Sequence, residues 1–447
     1  MMRPRHLALA AVLAATLAPA HAEHLRELFD AALGYDATYL AQLAASDAAE
    51  PRAAQARALR LPTVGLQGGV TTTDTRILDA AQVSALRTTV TQAGITAQQS
   101  LFNAANGATI SQAERGVAVA EAQRTAARQD LIVRLAAAYF DVLAARDALN
   151  AVQVGRKAIA EQLAAAQRAF EVGTATIIDT REAQARFDLN TAQEVAAAND
   201  LHVKQLALEQ LVGKAGVQLL SLAPPATLPE LRPSNMDDWL GLAEAGNTQI
   251  AQARLGLEVA QLETEKAKAG HLPTVALSGS YGRTHTSGNM TPASGGQVPY
   301  TSNGNVNRAS VGVTVNVPLF AGFAIENRVR ETTLLEDQAR QQLEAARRGV
   351  AQGTRAAFLG VQAGRSTIKA LEAAEGSSKL ALESTRLGYE VGVRVNLDVL
   401  DAQAQYLRNQ VNLAKARYDV LVGDLRLRQA AGTLVADDLN AVDALLK

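Results

Sequence analysis

"YEVGVRVNLDVLDAQAQ", Tyr389–Gln405, opens with a glycine-containing break and then sets Asp398 and Asp401 three residues apart. "FEVGTATIIDTREAQAR", Phe170–Arg186, repeats the pattern with Asp179 and Glu182 in the matching places, 219 residues earlier (Phe170 against Tyr389). A catalytic acid pair needs to occur only once, so a doubled turn followed by doubled acids reads as architecture. Two more landmarks recur in the same order. "LPTV" stands at Leu61–Val64 and Leu272–Val275, and "GITAQQSLF" (Gly94–Phe102) matches "GVTVNVPLF" (Gly312–Phe320). Three matches in register imply a tandem duplication, with halves at about 23–232 and 233–447. The period is far too long for a solenoid.

Composition narrows the function classes. The 447 residues carry a net charge of −1, no cysteine and only 4% aromatic residues. A balanced charge with no Lys/Arg-rich block gives no field that would favour nucleic acid. Without cysteine there are no disulfides, thiolate metal sites or Cys nucleophile. Alanine is abundant, which suits closely packed helices. Arg3 and Arg5, the apolar stretch "LALAAVLAATLAPA" and the small-x-small site Ala20-His21-Ala22 read as a signal peptide over 1–22, with the mature chain starting at Glu23. No later segment is long and apolar enough for a transmembrane helix. A membrane span would therefore have to be made of β-strands.

Each half has the same internal order. A helical stretch such as "QIAQARLGLEVAQLETEKAKAG" (Gln249–Gly270) precedes a β-like stretch opened by Leu-Pro. In "RASVGVTVNVPLF", Val311, Val313, Val315, Val317 and Leu319 share one face, while Ser310, Gly312, Thr314 and Asn316 share the other. That is the period of two of a strand with one apolar side. Strands are expected at about 62–73, 88–102, 273–285 and 309–320, with Pro62, Pro273 and Pro318 at their ends, where a missing N–H is tolerated. The polar connections Thr73–Arg87 and Arg283–Arg308 read as surface loops.

No proline interrupts Asn103–Glu171 or Ala321–Glu390. A helix of that length would run roughly 100 Å, which implies a coiled-coil or tubular assembly. Each run stops at "EVG", where Gly173 or Gly392 can take the left-handed conformation, in tip turns at 172–176 and 391–395. Returning helices follow over Ile177–Val212 and Asn396–Ala431. "LAPPATLPELRP" (Leu222–Pro233) holds four of the twelve prolines and is the linker between halves. Trp239, just beyond it, is assigned to packing.

Four strands are too few to close a barrel, and open edges have no place in a bilayer. Three chains would supply twelve strands. The same symmetry would gather the long helices into a tube, so a homotrimer is expected. The alternative is a pore-less periplasmic coiled-coil structural or adaptor protein. An enzyme is not expected. His6, His21, His24, His202, His271 and His285 form no metal-ligand spacing, and no nucleophile elbow, phosphate loop or dinucleotide fingerprint occurs. No cofactor is expected.

Five stretches carry a resemblance over nearly the whole mature length: "AAAYFDVLAARDAL" (Ala136–Leu149), "AFEVGTATIIDTREAQARFD" (Ala169–Asp188), "GHLPTVALSGSYG" (Gly270–Gly282), "VTVNVPLFAGF" (Val313–Phe323) and "GYEVGVRVNLDVLDA" (Gly388–Ala402). Together they resemble the TolC family of trimeric outer-membrane export channels. The resemblance implies an α+β membrane protein of the bacterial outer membrane, embedded in its lipid. It implies a twelve-stranded barrel from three protomers, a periplasmic α-helical tube, and a mixed equatorial domain built from the linker and the C-terminal region. Asp398 and Asp401 match the periplasmic constriction. Threefold symmetry would turn them into two stacked carboxylate rings that attract cations, with possible block by multivalent cations. Asp179 and Arg394 match the partners of an ion-pair link between adjacent hairpins. Tyr389 matches a second link, whose acceptor position here is Ile178. Gly173 and Gly392 mark tips that meet a periplasmic adaptor. The implied function is the passive exit duct of type I secretion and/or multidrug efflux, working with an ABC or proton-driven inner-membrane pump.

Overall fold

The computed structural model describes residues 23–79, 82–174, 176–222, 230–291, 298–299 and 303–447. The signal segment expected over 1–22 and residues 223–229 of the linker lie outside the described residues. Three short helices, α1 (Leu25–Leu33), α2 (Ala37–Asp47) and α3 (Ala49–Arg57), lead to β1 (Thr63–Asp79) and β2 (Gln82–Phe102). Then come α4 (Ala104–Glu171) and α5 (Ile177–Val212). After the linker follow α6 (Met236–Gly246), α7 (Thr248–Lys268), β3 (Thr274–Thr291), the two-residue β4 (Val298–Pro299) and β5 (Gly304–Asn316). The chain ends with α8 (Ala324–Glu390), α9 (Asn396–Ala430) and α10 (Asp438–Asp443). No described helix is long and apolar enough to cross a membrane.

One compact unit, Ala45–Glu121 with Gln252–Glu344, holds the sheet. β2 pairs antiparallel with β1 and β3, and β3 pairs antiparallel with β5. Residues directly opposite one another share a face. The register therefore puts Val64 and Leu66 on the same side as Ile95, Ala97, Leu277, Tyr281, Val311 and Val313. This side is apolar yet exposed, with Leu66 at 82% and Val311 at 84%. Gln67, Thr96, Gln98, Ser278, Ser280 and Ser310 occupy the other side. There Ser280 and Ser310 hydroxyls bond each other at 2.8 Å. From Ala309 to Val315 the apolar band spans about 20 Å at strand rise, against the roughly 25 Å band of an outer-membrane barrel. Beyond it the same side turns polar. Arg87 pairs with Asp74 at 2.6 Å, and His285 bonds Asn305 at 3.0 Å. Among the described residues β1 and β5 each pair along one edge only.

Two expectations change. The stretches read as loops, Thr73–Arg87 and Arg283–Arg308, are largely strand, since β1 continues to Asp79, β2 begins at Gln82, β3 reaches Thr291 and β5 begins at Gly304. Polar, threonine-rich sequence reads as loop. Threonine is β-branched and fits an extended backbone, and a strand can remain paired in water. At the other end β5 stops at Asn316, so Val317 and Leu319 are not part of it. Pro318 has no N–H to continue a ladder. Gly322 and Phe323 then turn through positive φ of 60° and 63° before α8 begins.

The other unit contains residues 23–44 with Ala122–Ala251 and Ala345–Lys447. Its core joins α1, the middle of α4, and the ends of α5 and α9 around Leu28, Phe29, Tyr139, Phe140, Tyr418 and Leu425. Phe140 stacks on Tyr418 at 5.4 Å. Burial of such a side chain contributes about 1.5–3 kcal/mol. The phenols of Tyr139 and Tyr418 both find partners. Tyr139 donates to the Leu220 carbonyl at 3.0 Å, and Tyr418 donates to Asp147 at 2.7 Å. α1 has no side-chain cap of its own. Asp443, on the C-terminal helix, accepts from the Leu25 and Arg26 N–H groups at 2.7 and 3.0 Å. Short bridges Glu23–Leu219 and Leu222–Leu446 tie the inter-half segment to both ends of the described chain. This is the mixed domain that the resemblance implied. A second cluster packs Trp239 against Phe358, Val361 and Leu427, so Trp239 is a packing residue, as expected.

Asp36 is buried and accepts from Arg134 Nη1 and Nη2, both at 3.0 Å, and from the Tyr39 N–H at 2.7 Å. The Arg134 hydrogen bonds hold its carboxyl below the usual carboxylate range. A carboxyl lowered on folding stabilises above its unfolded pKa, and that stability is lost as pH falls through the folded value. Acid titration of the unfolding midpoint should show this loss below about pH 4. Asp36→Asn should remove that part of the pH dependence and cost about 3 kcal/mol. On the sheet, Leu66→Arg should destabilise the lipid-inserted protein by about 2–4 kcal/mol, while the neighbouring Gln67→Arg should change little. Urea unfolding in vesicles measures both.

Candidate functional site

The two helical hairpins end alike. α4 stops at Gly173 with φ of 76° and α8 at Gly392 with φ of 80°. Gly173 N–H bonds the Phe170 carbonyl at 2.9 Å and Thr174 N–H bonds Ala169 at 2.8 Å. Gly392 bonds Tyr389 at 3.0 Å and Val393 bonds Gly388 at 2.9 Å in the same pattern. These paired bonds form the Schellman ending of a helix. A Cβ at either glycine would meet nothing within 4 Å. The backbone sign, not crowding, is what calls for glycine here.

The helices that follow start differently. At α5, Asp179 N–H bonds the Thr176 hydroxyl oxygen at 3.3 Å, while the Asp179 carboxylate accepts from Thr176 N–H and hydroxyl, both at 2.8 Å. This is a reciprocal capping box. These hydrogen bonds, the backbone one first, hold the Asp179 carboxyl below its usual range. At α9 the matching cap residue is Val395, which has no hydroxyl. Only half the box remains, with Val395 N–H on Asp398 at 3.4 Å.

Asp398 and Asp401 lie on one side of α9 a turn apart, as the i, i+3 spacing requires. Arg394 Nη1 lies 3.6 Å from Asp398 Oδ2. A Cβ on Gly388 would sit 2.8 Å from Arg394 Cγ, so the absent side chain leaves room for Arg394 to fold back over the helix end. Asp401 is paired from the other hairpin, with Arg186 Nη1 on α5 at 2.9 Å from its Oδ1. Sequence reading passed over Arg186. The i, i+4 spacing of Glu182 to Arg186 marks a pair within α5, but nothing in it points to Asp401.

The expected Asp179–Arg394 pair does not form within one protomer among the described residues. Asp179 is engaged by Thr176, and Arg394 by Asp398. Tyr389 and Ile178 are exposed, Ile178 at 71%. Both tips also present apolar side chains to solvent, with Val172 at 74%, Val391 at 66%, Val393 at 75% and Val395 at 62% exposure. No group of three or more His, Cys, Asp or Glu suited to a metal ion occurs among the described residues.

Comparison with known proteins gives one consistent result. The family profile described as "Outer membrane efflux protein" matches residues 28–214 and 239–433. The chain is 32% identical over 426 residues to the outer membrane protein TolC of Vibrio cholerae, covering 95% of this chain and 94% of that one. It is 33% identical over 319 residues to the alkaline protease secretion protein AprF of Pseudomonas aeruginosa, covering 71% of this chain and 64% of that one. Among solved structures it resembles the CmeC outer membrane channel of Campylobacter jejuni, with a TM-score of 0.77 at 17% identity over 95% of this chain and 90% of that one.

The two unequal caps give a direct test. Thr176→Ala should cost about 1 kcal/mol, while the Thr176 N–H bond to the Asp179 carboxylate remains. Val395→Thr should complete the second box and stabilise by a similar amount. Amide exchange at the start of α5 and α9 reads both.

Proposed function

Because the chain belongs to the outer membrane efflux protein family, we infer that it is the outer-membrane exit duct of a tripartite export system. The observation that carries this reading is the sheet. It has an exposed apolar face, a polar face, and two edges without a partner among the described residues. A backbone edge in hydrocarbon must be paired. Three protomers joined β5 to β1 make a closed barrel of twelve main strands, with the polar face lining the lumen. The homotrimer is thus part of the proposal. So is the reading of 23–232 and 233–447 as two structural repeats.

The duct is passive and is not an enzyme. A periplasmic adaptor and an inner-membrane pump, ABC or proton-driven, supply recognition and energy. The name of the AprF relative refers to alkaline protease secretion. Type I protein secretion is accordingly one route proposed here, and small-molecule efflux the other. The exposed valines beside Gly173 and Gly392 support the hairpin tips as the adaptor-facing surface.

The gate is proposed at Asp398 and Asp401, where threefold symmetry stacks two carboxylate rings. We place the Asp179–Arg394 link between neighbouring protomers, since each residue has another partner within its own. Tyr389 lacks the expected hydroxyl partner because Ile178 occupies that position, so closure rests mainly on the Asp179–Arg394 link.

Single-channel conductance in a planar bilayer, titrated with a trivalent cation, tests this reading. A cation-selective pore should be blocked by the ion, and Asp398→Ala with Asp401→Ala should abolish the block. Unchanged block in the double variant would move the constriction elsewhere. No conductance from trimeric protein would end the duct reading in favour of a pore-less coiled coil.

A further inference from the structure

The two acids proposed for the gate are held in different ways. Asp398 is occupied by its own helix end, through the Val395 N–H at 3.4 Å and Arg394 at 3.6 Å. Asp401 takes no part in that cap. Its partner is Arg186, 2.9 Å away, on a helix from the other half of the sequence. Arg186 is also 3.6 Å from Glu182, one turn back on α5. The Arg186 side chain is 33% exposed and the Asp401 side chain 62%. The cation is therefore seated against the hairpins while the carboxylate stands at the rim.

We propose that Arg186 is a positioning residue of the gate. It ties the first hairpin to the second and neutralises Asp401 while the two are together. This rests on the duct reading, with Asp401 at the constriction. Its consequence differs from that of a bare acidic ring. When bare carboxylates move apart, their combined pull on a cation falls with distance. Here, separating α5 from α9 removes the guanidinium, so the Asp401 ring gains effective charge as the gate loosens. One pair at a largely exposed site is a weak clasp. Three copies acting together, and the charge they mask, are what the gate would register.

The chain has no cysteine, so thiol chemistry can be introduced cleanly. Arg186→Cys with Asp401→Cys in the full-length protein should cross-link within one chain through a short bifunctional thiol reagent, detected by mass spectrometry. Absence of that intrachain product would overturn the contact whether or not the protein conducts. In planar bilayers, Arg186→Gln should lower the half-blocking concentration of lanthanum about tenfold, as expected if it unmasks three carboxylates. Arg186→Lys should return it toward the wild-type value, and Arg186→Gln combined with Asp401→Asn should lose the gain. Equal block in wild type and Arg186→Gln, or a gain that persists without the Asp401 carboxylate, would overturn the proposal. No conductance from any form would remove the duct reading and this role with it, even if the cross-link forms.

Discussion

A β-sheet with two open edges cannot be left in hydrocarbon, and this governs the molecule. Every N–H and C=O of a lipid-facing strand needs a partner. The four main strands satisfy one another only as far as β1 and β5. Their side chains impose the same demand from another direction. Leu66, Tyr281, Val311 and Val313 stand exposed on one face, which is stable in lipid and costly in water. Together the edges and the face require a closed ring of strands. The closed ring is the reason for the homotrimer proposed above.

At the hairpin ends the two proposed repeats differ. Both helices before the tips stop by the same left-handed glycine and the same pair of backbone bonds. The helices after the tips do not start alike, because Thr176 can return a hydrogen bond and Val395 cannot. Asp179 is therefore fixed by a neutral cap. Asp398 is left with a weaker N–H contact and an arginine. Its partial release from capping frees its charge for Arg394. Asp179, the more firmly capped acid, is in the first hairpin, and the acids proposed for the constriction are in the second.

The second unit anchors this arrangement from the chain ends. Asp443 caps α1 across almost the whole sequence, and the Phe140–Tyr418 stack joins a helix of each half. A hairpin moving at its tip is held at its base by these contacts. Nearer the tips, the Arg186–Asp401 ion pair is one connection between α5 and α9.

Much of this was legible in the sequence because it is local. The repeat of "EVG" and its acids located both hairpins. Proline-free runs gave the long helices to within a few residues. Alternation over Val311, Val313 and Val315 gave the sheet face, since side-chain direction has a period of two. The strand lengths were missed, because polar threonine-rich segments look like loops when the paired strand beside them is unknown. The partner of Asp401 and the cap of α1 were also beyond reach. Arg186 and Asp443 resemble any other charge on a helix surface until the fold brings distant elements together. The sequence by itself determined the periodicities and the breaks, which are properties of neighbouring residues. Only the tertiary structure decided which charges meet, because that depends on distances between segments hundreds of residues apart, and no local period records them.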